Sequence, residues 1–293
     1  MLDPSAVSLE GKVAIVTGGG GGMGRAIAET FAAFGASVLV AEHDRGRLDE
    51  TVAAIEGRGH RAAGSLTDVR EQAQVDAMVE TCVDAFDRID ILVNTVGDYL
   101  GRGGAFVRST DDDWEVLYDV NLRQVFRCTR AALPHMLEHG AGGSIINFST
   151  IEAFRGIPGS AVYSAFNTGL TGFTKSLALE LGPKKIRVNA IAPETTDTLQ
   201  LPVSEWIPEE YRDRVPYWTP LGRFGVPDDA AGCALFLASD LSAWVTGTTI
   251  HMDGGALAAG GFYRAPDGRW TNTPVITDGA LKPRRRERAS KAR

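Results

Sequence analysis

Short apolar runs alternate along the chain with longer stretches in which apolar residues recur every three or four positions. The runs at 12–16, 37–41, 61–66, 89–93, 144–148, 186–191 and 248–252 read as strands. Ala26, Ile27, Thr30, Phe31 and Phe34 mark a helix after the first of them. Further helical spacing covers 71–86, 114–137, 163–181 and 227–237. Regular alternation of strand and helix predicts a single α/β domain around a doubly wound parallel sheet, with ligands at the carboxyl ends of the strands. The domain is expected over 1–256. From 257 to 293 the periodicity fades, and 282–293 form a basic block expected to be disordered and solvated.

The first strand runs into Thr17, five glycines (Gly18 to Gly22), Met23 and Gly24, and then the helix. This is the context a Rossmann-type dinucleotide site requires. Glycines let backbone approach a pyrophosphate, which sits at the positive end of the helix. No lysine–serine pair follows, which argues against a nucleoside triphosphatase. The second strand ends at Glu42, whose carboxylate suits ribose hydroxyls and repels a 2′-phosphate, so NAD is the expected cofactor. Arg45 is the nearby cation that could favour NADP. Asp68-Val69 and Asn94 fall at later strand ends, near the expected adenosine, although Asp68 could equally cap a helix.

The glycine-rich loop 98–113 is expected to form one wall of a substrate site. Asn121 lies inside a predicted helix, where asparagine is an indifferent helix former and commonly faces solvent. His135 and His139 fall in a His-x-x-Glu-His pattern, but they end a helix, where imidazoles suit the negative terminus, and no third ligand is evident. No metal is therefore expected. Ser149 to Asn167 joins a strand to a long helix and places Thr150, Tyr163 and Asn167 within reach of one another; the last two share a helix face. Another strand-end loop follows at Pro193-Glu194-Thr195-Thr196. Between 199 and 220 Trp206, Tyr211, Tyr217 and Trp218 gather, which fits a lid, a packed flap or a subunit contact.

Composition narrows the partners. With 293 residues and 44% hydrophobic content the chain can bury a large core, and its net charge of -7 argues against nucleic-acid binding. Three scattered cysteines imply no disulfide frame. No apolar run is long enough to span a membrane, and the first residues lack a secretory pattern, so a soluble, cytoplasmic protein acting on a small molecule is expected.

In order along the chain, Thr17-Gly18…Gly22-Met23-Gly24, Asp68, Asn121, 186–193 and Val245-Thr246-Gly247…Asp253-Gly254-Gly255 resemble the landmarks of the short-chain dehydrogenase/reductase family over roughly 8–256. The resemblance implies an oxidoreductase interconverting a secondary alcohol and a ketone. It implies Tyr163 as acid/base, Thr150 at the position of the polarising serine, Asn121 as support for a water relay and Asn167 at the position of a lysine. Cofactor contacts are implied at Gly18, Gly22, Met23, Gly24, Glu42, Asp68, Val69, Asn94, Gly97, Tyr163, Asn167, Pro193 and Thr196. A homotetramer or homodimer is implied as well.

Asn167 departs from the pattern: an amide can hydrogen-bond ribose but carries no charge. A unit positive charge about 4–5 Å from the phenol, at an effective dielectric of about 20, is worth roughly 3–4 kcal/mol. That equals about two to three pKa units. Thr95-Val96 replaces the family's Asn-Ala, and Glu194 its glycine. Glu152 and Glu194, with Trp206, are expected near the substrate, where the carboxylates would favour a polar or cationic group or serve as auxiliary bases. Two other functions remain open: a dinucleotide-binding protein with little redox catalysis, and a non-redox lyase or isomerase using Glu152 or Glu194.

Overall fold

The structure, a computed structural model, describes residues 3–203, 209 and 214–260, with backbone alone at Trp218, Tyr263–Arg264 and Trp270–Thr271. Seven strands make one sheet: β1 (Val13–Thr17), β2 (Ser37–Glu42), β3 (Ala62–Leu66), β4 (Ile91–Asn94), β5 (Gly143–Phe148), β6 (Ile186–Pro193) and β7 (Thr249–Met252). Their order is β3-β2-β1-β4-β5-β6-β7, and every pairing is parallel. The chain reverses its direction of travel between β1 and β4, which opens a crevice at their carboxyl ends. A two-residue antiparallel pair, β8 (Tyr263–Arg264) and β9 (Trp270–Thr271), stands apart from the sheet.

The apolar runs reflect burial on both faces. In β1, Ala14 and Val16 pack with α1 (Gly22–Ala33), α2 (Arg45–Glu56) and a late helix, while Val13 and Ile15 pack with α3 (Gln72–Phe86) and its neighbours. The second layer contains α5 (Gln124–Glu138) and α6 (Ala161–Leu181). α7 is a single turn (Val215–Trp218), and α8 (Pro227–Ala238) completes the first layer against α1. A strand covered on both sides has no polar face, hence continuous rather than alternating apolar residues.

Two elements differ from expectation. Helix α2 has no counterpart in the periodicity reading because it buries only Leu48, Thr51 and Ile55. Its local sign is the Asp44 carboxylate, which accepts the Arg47 N–H at 3.0 Å as an N-cap. The helix expected at 114–137 starts earlier, as α4 (Asp111–Tyr118), behind a reciprocal Thr110–Asp113 capping box. It then widens into a π-helical segment, Asp119–Arg123, before continuing as α5. Such segments often mark functional sites, and Asn121 lies in the middle of this one.

Asn94 ends β4 fully buried. Its Nδ2 donates to Asn147 Oδ1 on β5 at 2.9 Å and to Thr129 Oγ1 on α5 at 3.4 Å, while Asn147 Nδ2 donates to Thr174 Oγ1 on α6 at 3.0 Å. This polar network ties two central strands to the helices beneath them, and Asn94, expected near the adenosine, spends its amide here and does not line the cleft. Asn94→Ala is expected to cost about 1–3 kcal/mol in urea denaturation, because it leaves Asn147 Oδ1 buried without its donor. Dinucleotide affinity should be unchanged. Lost affinity at full stability would return Asn94 to the binding site.

Candidate active site

A cleft of about 300 Å³ opens over the carboxyl ends of β1 to β4. The glycine turn forms its floor, with Gly18 at φ 63° and Gly22 at φ 49°, in the left-handed region that favours glycine. A Cβ on Gly24 would collide with the Gly18 carbonyl, so only glycine lets α1 approach β1 this closely. Gly18, Gly22, Met23, Gly24, Asp68, Val69 and Gly97 all line the cleft, as expected. The helix N-terminus faces it with no side-chain cap. A cradle that any side chain would fill, at an uncapped helix start, fits a pyrophosphate.

Glu42 is 4% exposed and fully engaged. Its Oε2 accepts the Gly20 N–H at 3.1 Å, and its Oε1 accepts the His43 and Asp44 N–H groups at 3.0 and 3.1 Å. Arg47 Nη2 approaches Oε1 at 3.3 Å. The cation that lines the cleft beside Glu42 is Arg47, in the first turn of α2, while Arg45 pairs with Asp49 outside the cleft. Asp68 lines the cleft but is clamped by Arg70, whose Nη2 lies 2.6 Å from Oδ2; that bond keeps the carboxyl below its ordinary range. It is not the N-cap of α3, a position held by Glu71.

The loop after β6 reaches back over this cleft. Thr198, Leu199 and Gln200 line it, and Gln200 Nε2 donates to the Gly97 carbonyl at 3.3 Å. Thr196 does not line it: its hydroxyl donates to the Glu194 carbonyl at 3.0 Å, and the residue bridges to Gly225. Pro193 also lies off the cleft and offers its carbonyl to the Thr150 hydroxyl at 3.5 Å. A two-residue offset, invisible in a loop without periodicity, separates Thr196 from the cleft-lining Thr198. Trp206 and Tyr211 lie outside the described residues, as does the basic block 282–293.

Tyr163 sits in the first turn of α6. Tyr99, from the glycine-rich loop, stacks on it with ring centroids 4.0 Å apart and planes at 26°. Burial pushes the Tyr163 phenol well above the ordinary tyrosine range; Tyr99, Glu152 and Asp98 add to this, and a hydrogen bond from the Thr150 side chain opposes it. Tyr99 itself is pushed up to about 12, mainly by burial and then by Glu152 and Glu194. Ser149 points elsewhere, its hydroxyl donating to the Asn167 carbonyl at 3.2 Å.

Asn167 is 3% exposed and folds back along its helix, its Nδ2 donating to the Tyr163 carbonyl at 3.0 Å. Asn121 is buried, not solvent-facing. Its Oδ1 accepts the Asp98 N–H at 3.1 Å, and its Nδ2 donates to the Asp98 and Leu117 carbonyls at 2.9 and 3.0 Å. The asparagine therefore clamps the very loop that brings Tyr99 to Tyr163.

Glu152 and Glu194 both come to this region, but not as free acids. Arg155 Nη2 lies 2.8 Å from Glu152 Oε1 and 2.6 Å from Glu194 Oε2. Residue spacing gave no sign that Arg155 reaches Glu194, since the loops after β5 and β6 meet only through the sheet. His139, by contrast, contacts the Ile89 carbonyl at 2.8 Å, and among the described residues no His/Cys/Asp/Glu cluster could hold a metal.

A family model described as enoyl-(acyl carrier protein) reductase matches residues 18–256. The chain belongs to the short-chain dehydrogenase/reductase family. It is thereby an oxidoreductase of a family that acts on CH–OH groups with a nicotinamide dinucleotide. It is 39% identical over 247 residues to a 3-oxoacyl-(acyl-carrier-protein) reductase of Thermotoga maritima, covering 84% of this chain and 98% of that protein. It is 37% identical over 255 residues to 3beta-hydroxysteroid dehydrogenase 1 of Eggerthella lenta, covering 87% and 97%. A 7 alpha-hydroxysteroid dehydrogenase solved with NADH and 7-oxo glycochenodeoxycholic acid superposes with a TM-score of 0.81 at 31% identity, covering 87% of this chain and 98% of that one.

In this short-chain dehydrogenase/reductase the glycine turn makes a sharp test. Gly24→Ala is expected to weaken NADH binding at least tenfold, on the order of 1.4 kcal/mol, when followed by nicotinamide fluorescence. Undiminished affinity would show that the turn does not hold the dinucleotide.

Proposed function

We propose that the protein interconverts a secondary alcohol and a ketone using NAD, with Tyr163 as acid/base and Thr150 as the donor that polarises the substrate oxygen. The observation that carries this reading is the Tyr163 phenol at the start of α6, stacked under Tyr99 and within the influence of the loop after β5 that carries Thr150 and Glu152. The nicotinamide supplies or takes up the hydride. This chain's residues do the rest: Thr150 orients the oxygen, Tyr163 moves its proton, and Asn121 fixes the wall that covers them. Asn167 keeps an amide where a ribose can be met, without charge.

NAD is favoured over NADP because Glu42 is buried at the ribose position, where a 2′-phosphate would face its charge. Arg47 is the counterweight. Glu42→Ala is expected to strengthen NADPH binding at least tenfold and weaken NADH binding in fluorescence titrations. Tighter NADPH than NADH binding in the unaltered protein would reverse the assignment.

A phenol held protonated by burial suits proton delivery to a forming alkoxide, so carbonyl reduction is the direction favoured at neutral pH. Alcohol oxidation needs the phenolate, whose fraction grows as pH rises toward the raised pKa. Oxidation is therefore expected to climb continuously through at least about pH 10, the unperturbed tyrosine value. Asn167→Lys should move that rising limb down by about two to three pH units. Tyr163→Phe should abolish turnover while keeping NADH binding; retained turnover would remove Tyr163 from the chemistry.

The uncharged Asn167 and the stacked Tyr99 also favour a second reading, a dinucleotide-binding protein with little redox catalysis. Tight NADH binding without turnover of any ketone or alcohol across the pH range would support it. The lyase or isomerase reading loses ground, because Arg155 holds both carboxylates that would serve as its base.

A further inference from the structure

The loops after β5 and β6 each bring a carboxylate toward Tyr99, the ring stacked on Tyr163, and a single guanidinium joins them. Arg155 Nη2 contacts Glu152 Oε1 and Glu194 Oε2 at 2.8 and 2.6 Å, and its Nε donates to Glu152 Oε2 at 3.2 Å. The charge does not close: two carboxylates and one guanidinium leave one unmatched negative charge. The acids are the buried members, with side chains 11% and 7% exposed against 31% for Arg155. Glu194 Oε1 accepts the Thr195 N–H and hydroxyl at 2.8 and 2.9 Å. Glu194 Oε2 is buried against Arg155, its one charged partner among the described residues.

This cluster borders the chemistry. The Glu152 N–H donates to Thr150 Oγ1 at 3.3 Å, and Tyr99, stacked on Tyr163, lies within the field of both acids. An incoming carboxylate would have to displace one of two acids already held by Arg155, in a site of net negative charge. An ammonium or hydroxyl would find acceptors waiting.

We propose that Glu152, Arg155 and Glu194 form a recognition wall for a cationic or hydrogen-bond-donating group carried by the substrate. The assignment rests on the carbonyl/alcohol reading above and names the substrate class it serves. A unit charge about 5 Å from one unmatched charge, at an effective dielectric of about 20, corresponds to a preference on the order of a hundredfold. Solvent at the partly open Arg155 reduces this toward about tenfold.

The test uses three aryl ketones of matched shape: para-methyl-, para-aminomethyl- and para-carboxy-acetophenone. Their binding to the full chain is measured by calorimetry with and without NADH, and NADH oxidation is recorded in parallel. The aminomethyl ketone is expected to bind at least about tenfold tighter than the carboxylate, and Glu194→Gln should erase the difference. Glu152→Gln makes the same charge change at the other loop and serves if Glu194→Gln fails to fold. Equal affinities, no binding, a carboxylate preference, or a preference that survives both variants would overturn the wall. An ammonium preference without NADH oxidation upholds the wall and overturns the redox reading. Turnover without preference does the reverse.

Discussion

Tyr163 presents a half-buried phenol with the Tyr99 ring stacked on it and the Glu152 carboxylate within its field. Removing a phenol from water favours its neutral form, and nearby negative charge does so further. At the family's lysine position this chain places an amide, which folds back onto its own helix instead of offsetting that charge. The site's other features are arranged around that balance. The Thr150 side chain favours the ionised phenol, and the Arg155 guanidinium is already shared between two acids.

The scaffold brings these groups together with little freedom. Both sheet faces are covered, so the strands are fixed by packing, and the Asn94–Asn147–Thr174 network adds directional bonds where β4 and β5 end. The π-helical segment turns Asn121 inward, where its amide satisfies both backbone groups of Asp98. A loop that would otherwise be loosely held is thereby pinned next to α6. Tyr99 stacks on Tyr163 because Asp98, its chain neighbour, has nowhere else to go.

The loop after β6 joins the two regions. Its first residue, Glu194, pairs with Arg155, and a few residues later Thr198 and Gln200 line the cleft, Gln200 bonding to Gly97.

Much of this was legible along the chain. The sheet follows from seven apolar runs separated by helical spacing, because a strand buried on both faces cannot hide its composition. The glycine turn, Glu42, Asp68, Thr150 and Tyr163 lie at strand ends or at a fixed helical offset, where local geometry dictates position. Helix α2 was not legible, since three buried side chains leave too faint a period. Thr196 and Asn94 lie off the cleft for one reason: a strand end gives the neighbourhood, while the direction of each side chain depends on what packs against it.

The sequence alone determined the fold, the place of the cleft and the missing charge at Asn167, each written in residues close together along the chain. Only the tertiary structure decided what surrounds that missing charge. Tyr99 on Tyr163 and Arg155 on Glu194 are contacts between segments far apart in the chain. Such contacts carry no period and no spacing. The parallel sheet sets them by aligning the carboxyl ends of its strands along one edge, so that residues far apart in the chain must share the same few ångströms.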